Sequence, residues 1–161
     1  MEQVVDKVIR ELDIFRQASQ VDGGIAGIMD IEAIYFGDPG ILPVYNYPAF
    51  TVQPLRDAPD SETTGYEIRN LEVLITLVID AREFFDKDVE EATGDRKLVQ
   101  VAFALRRWLR SVVNRQLDGE AGPVREVVVS DTNYVAEARD PVIAKSAQVT
   151  LMVNKQYPKQ R

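Results

Sequence analysis

Apolar residues recur at helical spacing from the start of the chain. Val4, Val5, Val8, Ile9, Leu12, Phe15 and Ala18 fall along one face, and Glu2, Asp6, Arg10 and Asp13 fall mostly on the other. That spacing predicts an amphipathic helix over Glu2–Ser19. Val21-Asp22-Gly23-Gly24 breaks it. Ile28–Phe36 contains Ile34, Tyr35 and Phe36, which favour a strand, and Gly37-Asp38-Pro39-Gly40 is a turn signal. Pro43 and Pro48 bracket an extended piece that holds Tyr45 and Tyr47. A further strand is predicted over Phe50–Leu55, where Pro54 puts it at a sheet edge or ends it. The polar stretch Arg56–Gly65 reads as an exposed loop between two strands.

Alternation is strictest over Tyr66–Ala81. Leu71, Val73, Ile75, Leu77 and Ile79 make one apolar face, while Ile68, Asn70, Glu72, Leu74, Thr76, Val78 and Asp80 make a mixed one. A strand of this length exceeds the usual five or six residues, so it is expected to outrun a compact sheet or bend at a bulge. The acidic Asp86–Glu91 reads as a loop or short helical turn. Leu98, Val101, Ala102, Leu105, Trp108, Leu109, Val112 and Val113 predict a second helix over Arg96–Leu117, with Thr93 or Asp95 as its cap. Asp118-Gly119-Glu120-Ala121-Gly122-Pro123 ends it. Strands over Val124–Tyr134 and Ala147–Tyr157, joined through the turn-like Ala138-Arg139-Asp140-Pro141, finish the chain. The order is helix, about three strands, helix, two strands. It implies one α+β domain over residues 1–161, a mostly antiparallel β-sheet with two amphipathic helices packed on one face.

Composition narrows the chemistry. The 161 residues are 45% hydrophobic and 28% charged, with no cysteine and no histidine. No disulfide, thiolate nucleophile or imidazole base is available, so an enzyme would depend on Asp, Glu, Lys, Tyr or backbone groups. Glu2 and Asp6 interrupt any signal-peptide layout, and the apolar run around Leu71–Ile79 is far too short for a membrane span. The net charge of −7 is uneven. Residues 1–94 hold 19 acids and 7 bases, net −12, whereas residues 95–161 hold 7 acids and 12 bases, net +5. An acidic chain is poorly suited to wrapping nucleic acid. Its two halves can attract each other between copies, or can simply solvate two sides of a monomer.

The candidate interaction residues follow from the same pattern. Arg106, Arg107 and Arg110 cluster at three- and four-residue spacing on the second helix, where they can grip a neighbour's carboxylates; the plain alternative is a solvated helix face. Asp86, Asp88, Glu90 and Glu91 offer oxygen ligands for Ca²⁺ or Mg²⁺, but lack the spacing of a known calcium loop, and surface solvation accounts for them. They join the arginines as candidate subunit-interface residues. Tyr45 and Tyr47 are candidate interface anchors. Trp108 lies in the helical stripe and reads as core. The Gly-rich stretches match no phosphate-binding motif. No cofactor, catalytic residue or resident metal is expected.

From about Val4 to Tyr157 the arrangement resembles the tail-terminator (tail-completion) proteins of long-tailed bacteriophages, and more broadly the small neck proteins that assemble into rings. The resemblance lies in the amphipathic first helix, the entry Tyr47-Pro48-Ala49-Phe50-Thr51-Val52, the long strand Tyr66–Asp80, the single second helix and the closing strands. Ile25–Tyr45 has no counterpart in it. The resemblance implies a non-enzymatic virion protein in the tail or neck, assembled in the host cytoplasm. It implies a homo-oligomeric ring, a hexamer, that caps the tail tube and joins it to head-completion and other neck proteins, with DNA passing through unbound. The alternatives are another neck component, such as a head-completion protein, and a carboxylate-based divalent-metal module or enzyme.

Overall fold

The structure is a computed structural model and describes residues 2–21, 29–38, 46–62, 65–86, 91–116, 123–139 and 142–158. Helix α1 spans Glu2–Val21 and α2 spans Thr93–Gln116. The strands are β1 (Ala33–Phe36), β2 (Ala49–Glu62), β3 (Tyr66–Asp80), β4 (Phe85–Asp86), β5 (Glu91–Ala92), β6 (Val124–Val129), β7 (Asn133–Arg139) and β8 (Val142–Pro158), with a 3-10 turn at Ala81–Phe84.

The main sheet runs β1-β2-β3-β8, and both β6 and β7 then pair with the far side of β8. Only β1–β2 is parallel, so the expected mostly antiparallel α+β sheet is what forms. Its odd-numbered β3 face does what the alternation predicts. Leu71, Val73, Ile75, Leu77 and Ile79 join Phe50 and Val52 of β2 and Val149, Leu151 and Val153 of β8 in one buried cluster. Val4, Val5, Val8, Leu12 and Phe15 of α1 and Leu98, Val101, Ala102, Leu105 and Leu109 of α2 close over that same face. Trp108 packs against the cluster, its ring centroid 5.8 Å from that of Phe15, which in turn lies 6.2 Å from Phe50. The opposite face is also partly buried. Thr51 and Thr76 sit directly across from each other there, buried, and neither hydroxyl has a hydrogen-bond partner among the described residues.

Several expectations change. Arg56–Glu62 is not a loop: it continues β2 and pairs with Glu67–Glu72. Pro54 therefore does not end the strand. Beyond Val52, β2 has no β1 beside it, so a residue without an N–H is tolerated on that outer edge. The register slips just after each proline, at Pro54/Arg56 and Pro59/Ser61. The bulges thus fall in β2, while β3 stays paired to β8 along its whole length. Val124–Tyr134 is two strands rather than one, because Ser130 interrupts it: its N–H donates to the Thr150 carbonyl and its hydroxyl accepts from the Thr150 N–H. Ala138 and Arg139 belong to β7, and only 140–141 of the expected turn lie between β7 and β8, outside the described residues. Helix α2 begins at Thr93, which puts Asp95 inside its first turn rather than at its cap. The expected strand at Ile28–Phe36 is confined to Ala33–Phe36 and ends where Gly37 takes φ 129°, a conformation that needs glycine.

At the end of β3, Asp80 is buried beside the solvent-facing Arg82. Arg82 donates its backbone N–H and Nε to one carboxylate oxygen (3.0 and 3.1 Å) and Nη2 to the other (2.7 Å). This fixes the turn from strand to 3-10 helix.

Candidate functional site

The α2 apolar stripe buries one side of the helix, and its outer flank carries the candidate arginines. Arg106 reaches Asp131 in the β6–β7 connection, Nη2 to Oδ1 at 2.9 Å. Near the other end of α2, Lys145 of β8 donates to both carboxylate oxygens of Asp95 at 2.7 Å. Between these two ion pairs, Leu98 and Val99 of α2 and Tyr134 and Ala136 of β7 line a groove of about 260 Å³. Phe103, one turn beyond Val99, is 68% exposed, and Tyr134 is 51% exposed. Arg107 and Arg110 are exposed and make no ion pair among the described residues. Arg96, Phe103 and Arg110 recur at intervals of seven, so an aromatic ring is flanked by cations along one helix side.

Val99, Phe103 and Tyr134 were not candidates from the sequence. The signal was present, since Val99 and Phe103 lie off the stripe of Leu98, Val101, Ala102 and Leu105. An exposed phenylalanine on a helix whose core face is already filled is the informative departure.

The other candidates separate. Asp88, Glu90 and Tyr45 lie outside the described residues. Asp86 and Glu91 are backbone partners in the β4–β5 pair, and residues 87–90 of the expected loop or helical turn lie outside the described residues. Tyr47 is half-buried just before β2, with its peptide bond to Pro48 cis. Among the described residues no group of three or more acidic side chains is placed to hold a metal ion. No described helix is long and apolar enough to cross a membrane.

A second groove of about 240 Å³ lies on the face of the sheet away from the helices, where Val128 and Met152 are exposed between Glu72 and Glu126. Its polar wall is self-satisfied: Asn154 donates to Asn70 at 2.8 Å and Arg56 lies 3.7 Å from Glu72. Farther along β2 and β3, Asp57 lies 2.7 Å from Arg69. Burial pushes the Tyr157 phenol up, and the Asp57 carboxylate adds to that, against the pull of Arg69. In the first groove, which Ser146 also lines, Asp95 and Lys145 are bonded to each other. What the surface does offer is an apolar strip bordered by cations that make no ion pair among the described residues, beside an open sheet edge, which suits binding to another protein.

No protein-family model matches the chain, and no curated protein matches it. A chain in a solved structure described as the virion of a native gene transfer agent particle is similar, with 14% identity over 87% of this chain and 90% of that one and a TM-score of 0.49. The functional reading stands on the residues and their geometry.

Proposed function

We propose that this chain is a structural subunit of a virion, forming a closed ring of the tail-terminator type at the end of the tail tube. The observation that carries the reading is the lateral segregation of charge. Among the described residues the acidic excess of the first part falls on α1, β1 to β5 and their connections, and the basic excess of the second part on α2, β6, β7 and β8. Because β3 pairs with β8 at the junction, the two parts of the sequence become the two lateral sides of one sheet. A subunit acidic on one side and basic on the other favours head-to-tail contacts, and head-to-tail contacts that close make rings. The overall negative charge suits a ring through which DNA slides without sticking. The resemblance of the element order to tail terminators supplies the place of the ring in the particle and its partners, the tail tube protein below and the neck proteins above.

Light scattering on the purified protein tests this directly. Six chains of 18.1 kDa give about 109 kDa, and addition to assembling tail tubes is expected to cap them at one end. A monomer that neither self-associates at any concentration nor binds tube ends overturns the reading. High-affinity Ca²⁺ or Mg²⁺ binding by calorimetry would instead favour a carboxylate metal module.

A further inference from the structure

We propose that the subunits join by continuing the sheet: β1 of one copy adds antiparallel to the free edge of β7 in the next. Among the described residues β1 pairs only with β2, and β7 only with β8. These are opposite ends of the same sheet. The register places them at the same height, since Ile34, Phe50, Leu77, Ala147 and Tyr134 form one continuous row across it. Tyr35, Thr51, Thr76, Gln148 and Asn133 form the next row, on the opposite face.

Strand direction then decides the pairing. β1 runs parallel to β2, β2 antiparallel to β3, β3 antiparallel to β8, and β8 antiparallel to β7. So β1 and β7 run in opposite senses. A rotation about an axis along the strands preserves both height and direction, and brings the β1 of a neighbouring copy to β7 as an antiparallel partner. The same operation cannot bring β7 to β7 in a head-to-tail ring.

The side chains match. Phe36 lies on the helix-covered face of β1, at the height of Val52, and is 59% exposed. Tyr134 and Val99 line the groove on that same face beside β7, and Phe103 is exposed one turn farther along α2. Phe36 of the incoming strand has an apolar floor there, and each copy covers the other's exposed ring.

Charge matches as well. On the β1 side, Asp30 and Glu32 precede the strand, exposed and without ion pairs among the described residues. The adjoining flank of α1, held to this segment by Arg16 Nη1 donating to the Glu32 carbonyl at 3.3 Å, brings the exposed Glu2, seven-residue intervals away through Ile9. On α2, which packs on β6 and β8 and lines the groove with β7, Arg96, Arg107 and Arg110 are exposed. Within a copy three strands, β2, β3 and β8, separate β1 from β7, so the two strand edges meet only between copies.

That separation makes the test clean. The chain has no cysteine, and β1 lies four strand spacings from β7, about 19 Å, well beyond disulfide reach. Ile34→Cys and Tyr134→Cys proteins, and separately Tyr35→Cys and Asn133→Cys proteins, are mixed and oxidised, free and on tail tubes. The expected result is a disulfide dimer in at least one mixture that neither of its components gives alone, and a ladder ending in a closed oligomer from the doubly substituted chain. Cross-linking of Ile34→Cys to itself overturns the proposal in favour of a two-fold contact. The proposal takes its cyclic closure from the ring reading, and the two fail differently. Oligomers by light scattering without either cross-link overturn the β1–β7 interface and leave the ring, whereas a monomer under every condition overturns both.

Discussion

Arg82 holds the buried carboxylate of Asp80 with three hydrogen bonds, two to one oxygen and one to the other. These bonds keep the carboxyl below the usual carboxylate range, outweighing the opposite effect of burial. A native pKa below the unfolded one means the stabilisation is present above the unfolded value, about 4, and is lost as pH falls through the native one. Thermal melts of wild type and Asp80→Asn are therefore expected to differ at pH 7 and to converge as the pH drops below about 4. The cost at neutral pH is about 1–3 kcal/mol, limited by the half-exposed guanidinium. Equal differences at both pH values would show that the charge is not what stabilises the turn.

Thr51 and Thr76 face one another with unpartnered hydroxyls. A buried donor left without a partner costs desolvation and returns nothing, so an apolar group of the same shape is favoured. Thr76→Val is expected to raise stability by up to about 1 kcal/mol in denaturant melts, and a loss of that size would require a bond to this hydroxyl.

Phe15 links the two helices to the sheet by touching both Trp108 and Phe50. Phe15→Ala is expected to cost about 3–5 kcal/mol, enough to unfold a marginal domain. The exposed Phe103→Ala is expected to change the stability of an isolated chain by less than about 0.5 kcal/mol while weakening assembly. Paired denaturation and light-scattering measurements separate the two effects.

The Arg106–Asp131 ion pair is a surface contact, with the Asp131 side chain 98% exposed. Asp131→Ala is expected to cost under about 1 kcal/mol. Arg107 and Arg110 have no such partner among the described residues, so Arg107→Glu/Arg110→Glu is expected to leave the circular dichroism spectrum and melting temperature near wild type and to reduce oligomer mass. Unchanged oligomer mass would remove these arginines from the subunit contact.

Tyr157 is expected to ionise later than an ordinary tyrosine in an ultraviolet titration, because burial and Asp57 disfavour the phenolate. The associated stability is present below the unfolded value near 10 and is lost as pH rises through the native one. Asp57→Asn is expected to bring the transition down; no movement would leave burial as the sole cause.

Local pattern was enough for the two helices and for the long strand β3. Val4, Val8, Leu12 and Phe15 repeat with the period of a helix and Leu71 to Ile79 with the period of a strand, and each period can bury only one face. The same arithmetic placed Trp108 in the core and excluded thiol and imidazole chemistry. It misread Arg56–Glu62, because polar residues and prolines signal a loop unless a neighbouring strand supplies the hydrogen bonds, and Glu67–Glu72 does so only in the folded chain. It passed over Phe103 for a similar reason, since an apolar residue looks buried until the face it occupies is known.

The sequence by itself determined that the charge is divided, −12 before +5, and that two amphipathic helices need one sheet to cover them. Only the tertiary structure decided what that division means. Pairing β3 with β8 turns an order along the chain into left and right across a sheet, and leaves β1 and β7 as opposite edges at one height. Strand order is a long-range property set by which hydrogen-bonding edges meet, and no local period encodes it.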